Sequence, residues 1–216
     1  MIRDFSADEI LLLLLAARWT ILLSLIAFVG GSIAGFLIAL ARTSRAKTLR
    51  WAATGYIELF QDTPLLMQLF VIFFGANIIG LQINAWTAAS LGLTLYASAF
   101  LGEIWRGCIE AVPKGQWEAA KALGLRQWQA TLLIVAPQAV KLAIPPTIGF
   151  LVQLIKNTSL ASIIGFTELT RTAQLVNNAT YQPLTVFLIV SLIYFSLCWP
   201  LSRTSRWLEK RLAVQG

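Results

Sequence analysis

The chain has 216 residues, of which 57% are apolar and only 12% charged, and its mean hydropathy is +0.72. Soluble domains carry about a quarter charged residues, so a water-soluble enzyme is excluded. Lysine and arginine number 17 against 10 acidic residues, giving a net charge of +7, and histidine is absent. A His-based triad, a His-ligated zinc site and a histidine proton switch are thereby excluded together. Cys108 and Cys198 lie far apart without CxxC spacing and read as free thiols in apolar surroundings.

A helix needs about 20 apolar residues to cross roughly 30 Å of hydrocarbon. No residue between Arg18 and Arg42 is charged, and this run contains Gly30, Gly31 and Gly35, small residues that admit a neighbouring helix at close range. It predicts a first span over 11–41. Thr63 to Gly102 is also free of charge, too long for one span, and is interrupted by the polar, turn-like stretch of Gly75, Asn77, Gly80, Gln82 and Asn84. Two spans follow, 56–76 and 86–110. The second carries Glu58, Gln61 and Asp62, and the third carries Glu103 and Arg106. A fourth span is predicted at 131–155, kinked by Pro145 and Pro146, and a fifth at 183–208. Trp86, Trp199 and Trp207 fall near predicted span ends and read as an interface belt.

The basic residues set the orientation. Arg42, Arg45, Lys47 and Arg50 follow the first span, the connection between the second and third has no Lys or Arg, and Lys114, Lys121 and Arg126 lie between the third and fourth. Arg203, Arg206, Lys210 and Arg211 occupy the tail. Five spans with the N-terminus outside and the C-terminus in the cytoplasm satisfy this alternation, and 156–182 then forms an outer loop or gate. The net charge is explained by topology and membrane lipid, with no nucleic acid required. The expected fold class is an all-α membrane protein forming a single transmembrane domain over 1–216.

The cytoplasmic segment 113–129 (PKGQWEAAKALGLRQWQ) is too amphipathic for a passive linker. Pro113 can open a helix, Trp117, Ala120 and Leu123 follow at helical spacing, and Gly124 suits the left-handed conformation that ends one. Two short helices meeting at Gly124 are expected, serving either as a docking element or as a helix resting on headgroups.

These residues resemble the EAA loop of integral-membrane subunits of bacterial ABC importers, whose pattern is Glu-Ala-Ala, three residues, Gly, nine residues, Ile, any residue, Leu-Pro. Glu118, Ala119, Ala120, Gly124, Ile134 and Pro137 stand at those spacings, and Ala136 replaces the leucine. The resemblance extends to 56–70 and 145–174, which are similar to blocks of the polar amino acid uptake permeases (histidine, glutamine and glutamate type). Gln61 and Asp62 depart from the family pattern before Thr63 and Pro64.

The resemblance implies a type I importer permease fold in the bacterial cytoplasmic (inner) membrane. Its implied partners are a second permease subunit, two cytoplasmic ABC ATPases and an extracytoplasmic amino-acid-binding protein. It implies no enzyme activity and no cofactor on this chain, with ATP and Mg on the partner ATPase; the sequence has no GxxxxGK[ST] loop. Coupling to the ATPase would fall to Trp117, Glu118, Ala119, Ala120, Leu123, Gly124 and Pro137.

For the substrate pathway, charged residues within spans are candidates by default. Asp62, Thr63 and Pro64 lie where a proline frees backbone groups to line a cavity. Glu103 and Arg106, three apart on one helix face, pair with each other or meet solute. Lys156, Asn157, Thr158 and Ser159 close the outer mouth, or form a solvated loop with a helix cap at Asn157 or Ser159. The rival reading of the whole chain is an ion-coupled secondary carrier or channel, acting as a homo-oligomer through Asp62 and Glu103.

Overall fold

Ser6 starts the first helix as its N-cap, and its backbone N–H donates to Glu9 Oε2 at 2.9 Å, closing a capping box before an almost uninterrupted apolar run. In the computed structural model, which describes residues 5–44 and 46–213, this helix, α1, spans Ala7–Thr43. Arg45 of the basic first connection lies outside the described residues. The other helices are α2 (Lys47–Gln61), α3 (Leu65–Ile78, with a π turn at Val71–Gly75), α4 (Ala85–Glu110) and α5 (Lys114–Ala122). They continue with α6 (Gln127–Ser162), α7 (Leu169–Thr180) and α8 (Pro183–Ala213). Among the described residues there is no strand.

Helices α1, α6 and α8 are long and apolar enough to cross a bilayer, and the bent pair α2 and α3 makes a fourth candidate if it counts as one span. Helix α4, which carries the expected third span, is not among these candidates and lies at the centre of the core. Its Ala88, Ala89, Leu93, Ala97, Ala99 and Leu101 are fully buried. The glycines of α1 make this possible. A Cβ on Gly31 would lie 2.5 Å from Ala97 Cβ, and one on Gly35 would lie 3.0 Å from the Ser98 carbonyl oxygen. Leu23, Leu69, Phe150 and Leu154 complete the core around this seam. Leu14, Leu25, Val29, Ile33 and Leu37 on the other face of α1 are exposed, as lipid-facing residues should be.

Several expectations need correction. The second span is not one helix over 56–76: the helix begins at Lys47, stops at Gln61 and resumes at Leu65 after a bend of 101°. Pro64 has no N–H and forces Thr63 out of the helical region, so the chain turns there. Gly75 and Asn77 belong to α3, and the turn is confined to Ile79–Asn84, where Gly80 takes φ +85° and Asn84 caps α4. Helix α6 runs on through Pro145 and Pro146, and it also carries a π turn at Thr131–Val135.

A further correction concerns 156–182, which is largely helical. α6 continues through Asn157 into a 3-10 turn at Thr158–Ser162, and α7 follows. Neither Asn157 nor Ser159 caps a following helix; Glu168 does. Trp86 is half-buried and packs against Trp19 and Phe166, with ring centroids 5.9 and 5.0 Å away. Trp199 and Trp207 are exposed, with the guanidiniums of Arg203 and Arg211 over their rings at 5.5 and 4.1 Å.

Candidate functional site

The segment 113–129 forms the two short helical pieces its pattern predicts. α5 ends in a Schellman turn in which Leu125 N–H donates to the Ala120 carbonyl at 3.1 Å and Gly124 N–H to that of Lys121 at 2.9 Å. Gly124 holds φ +73°, and a Cβ placed there would meet nothing within 4 Å. Its glycine is required by backbone conformation and not by crowding. Ala120 is fully buried, and Trp117 packs with Ile109, Val112, Val135 and Ala139, which fixes α5 against the ends of α4 and α6. Glu118, Ala119 and Leu123 face outward, Leu123 with 75% of its surface exposed. Pro137 is also exposed, on the first turns of the α-helical part of α6. The outward face therefore combines one carboxylate, small side chains and an exposed leucine.

A charged cluster lies on α4. Arg106 grips the Glu103 carboxylate with Nε at 2.9 Å and also through Nη2, reaches Glu110 through Nη1, and Arg42 of α1 stands 3.9 Å from Glu103. Arg42 in turn donates to Thr54 of α2. The cluster joins α1, α2 and α4, so Glu103 and Arg106 are paired with each other.

The bend at Asp62–Pro64 is stitched by a residue that sequence reasoning missed. Gln68 Nε2 donates to the carbonyls of Phe60 at 2.9 Å and Thr63 at 3.1 Å, and to Thr63 Oγ1 at 2.9 Å. These acceptors lie at the interruption opened by Pro64. Asp62 itself is exposed at the corner. The available signal was a glutamine one helical turn after Pro64 in an otherwise apolar stretch.

Of the four polar residues at the end of α6, only Lys156 is open to an exterior cleft. Thr158 is buried and donates to the Ile155 carbonyl at 2.7 Å, and Ser159 donates to that of Lys156 at 2.7 Å. Asn157 is half-buried at the end of the α-helical part of α6. Lys156 lines a cleft of about 750 Å³ between α6 and α8, together with Gly149, Ser191, Tyr194, Ser202 and Arg206.

Glu168 is the second missed residue. It is fully buried, and its Oε1 accepts from the Arg171 N–H at 2.9 Å as the N-cap of α7. Its Oε2 accepts from Thr20 of α1 at 3.2 Å and Tyr194 of α8 at 3.1 Å. Burial pushes the carboxyl above the usual carboxylate range, and the N–H groups of Thr170 and Arg171 with the hydroxyls of Tyr194 and Thr20 pull it back. This carboxylate holds three helices together.

The model of the family described as "binding-protein-dependent transport system inner membrane component" matches residues 27–214. The chain belongs to that family. It is similar to the probable amino-acid ABC transporter permease protein YckA of Bacillus subtilis, with 38% identity covering 90% of this chain and 86% of that one. It is also 39% identical to the probable glutamine ABC transporter permease protein GlnM of the same organism, covering 89% of each. A solved structure, described as the crystal structure of an amino acid ABC transporter with histidines, matches 98% of this chain and 100% of its own at a TM-score of 0.91 and 33% identity. The fold is thus that of an ABC importer permease, and the carrier or channel reading finds no support among the relatives. In this permease the EAA-like residues Glu118, Ala119, Ala120 and Gly124 lie together on one surface element, whereas Asp62, Glu103 and Lys156 stand apart, in the bend, the ion cluster and the cleft.

Proposed function

We propose that this permease subunit forms half of the pathway for uptake of a polar amino acid across the bacterial cytoplasmic membrane. The relatives named for amino acids and glutamine support the substrate class. In this reading α1, the α2–α3 pair, α4, α6 and α8 supply five spans, the N-terminus lies outside, α5 lies in the cytoplasm and α7 at the outer side. A second permease subunit completes the pathway, an extracytoplasmic binding protein delivers solute, and two ABC ATPases hydrolyse ATP with Mg, a reading supported by the lack of a GxxxxGK[ST] loop in this sequence. The observation that carries it is the outward face of α5. Its inner side is locked into α4 and α6 through Ala120 and Trp117, so force applied to Glu118, Ala119 and Leu123 is transmitted to two spans as a rigid-body motion.

The test is purification from the native membrane, followed by reconstitution with whatever subunits accompany the permease. An equimolar ATPase should co-purify, and uptake should require ATP and the binding protein. Uptake by the lone chain under a proton gradient would overturn the proposal.

A further inference from the structure

The α6–α8 cleft is unusual for a surface made by two apolar spans. Along α8 its exposed apolar neighbours include Leu184, Leu188 and Leu192, and the cleft itself sets Ser191, Ser202, Lys156 and Arg206 among apolar Val152, Phe195 and Trp199. Lipid chains cannot solvate such groups, and intramembrane cations face a bundle interior or a watered cavity. Lys156 lies near the end of α6, but its neighbour Ile155 packs with Cys198 of α8, well inside that helix and away from the end at which a lysine could snorkel to headgroups. Ser191 and Cys198, which line the same cleft, lie about 12 and 22 Å along α8 from its first residue. Among the described residues lining the cleft none is acidic. Glu168 is fully buried behind Tyr194, and Glu209 borders an adjoining cleft with Pro145 and Pro146.

We propose that this cleft is the solute-contacting wall of the pathway, that Lys156 receives the solute carboxylate there, and that neutral and acidic amino acids are admitted while those with a cationic side chain are rejected. The inference rests on the permease reading above. The chemistry follows from the lining. A carboxylate gains a charge-assisted contact with the ammonium of Lys156, and the serine hydroxyls can accept from the amino acid's own ammonium. A second cationic group on the solute would find no anion to meet and would face Lys156 and Arg206 with like charge.

The test uses the complete transporter in proteoliposomes with Cys108→Ser and Cys198→Ser, carrying either Ser191→Cys or Ser202→Cys. Anionic sulfonatoethyl and cationic trimethylammonioethyl methanethiosulfonates are applied, each rate normalised to that reagent's rate with free cysteine. The expected result is reaction at both positions with roughly tenfold preference for the anionic reagent, lost on Lys156→Gln, and slowed by excess L-glutamine or L-glutamate but not by L-arginine. Thiols inert to both reagents, a cationic preference, or protection by L-arginine alone would overturn the assignment. ATP-driven uptake from a mixture of neutral, acidic and basic amino acids is measured on the same vesicles. Uptake with inert thiols refutes the cleft assignment alone, whereas failure of ATP to drive uptake refutes the permease reading and the assignment with it.

Discussion

Gly124 allows the coupling reading to be tested by conformation alone. Because nothing lies within 4 Å of a Cβ built there, a substitution meets no steric obstacle and its cost comes from φ +73°. An L-residue in the left-handed region costs roughly 1–2 kcal/mol, so Gly124→Ala should lower the population of the native turn about fivefold or more. Gly124→Asn should cost less, since asparagine visits this region readily, and Gly124→Val more, since β-branched residues are true outliers there. The assay is ATP-driven uptake and ATP hydrolysis in proteoliposomes at matched protein levels. Uptake per ATP hydrolysed should fall in the order Gly, Asn, Ala, Val, and Gly124→Trp should fall with the most affected. Parental coupling in Gly124→Val, or equal damage from Asn and Val, would refute the conformational argument; the second result would mean that Gly124 acts through close contact with its partner.

Other substitutions probe the parts that hold this element in place. Gly31→Val should destabilise the α1–α4 seam by about 1–3 kcal/mol, because its side chain enters the space of Ala97. Thermal unfolding in detergent reads this loss, and the double substitution Gly31→Ala with Ala97→Gly should unfold closer to the parent than Gly31→Ala alone. Glu168→Ala removes the α7 cap and leaves buried donors unpaired, a loss of about 2–3 kcal/mol, while Glu168→Gln keeps an acceptor and should lose about 1 kcal/mol. Gln68→Leu should cost about 1–3 kcal/mol by leaving the Phe60 and Thr63 carbonyls unsatisfied, and limited proteolysis between α2 and α3 should accelerate.

The residues that sequence reading placed well act through local chemistry. The turn at Gly124 and the close approach at Gly31 each follow from what one residue type permits. The i,i+3 spacing of Glu103 and Arg106 gave their pairing, but not Arg42, which arrives from another helix. The rest depended on partners distant in sequence. Trp86 stands near a span end by position, and its contacts with Trp19 and Phe166 come from two other segments of the chain. Glu168 looks like a charge in a loop until Thr20 and Tyr194, 148 and 26 residues away, are brought against it. Pro64 signalled a disturbance in a helix, but its 101° outcome required the acceptors and the donor Gln68 to be seen together. The cleft was invisible because its lining comes from alternate turns of two helices.

The central claim is that the outward face of α5 lies in the cytoplasm and is gripped by a separate ATPase. Leu123→Cys, in the Cys108→Ser and Cys198→Ser background, places a thiol at the centre of that face, where 75% of the leucine is exposed. Labelling with a membrane-impermeant maleimide should occur in inside-out vesicles, fail in sealed right-side-out vesicles, and be suppressed when the ATPase is bound. Labelling of sealed right-side-out vesicles, or labelling unaffected by the ATPase, would contradict the account.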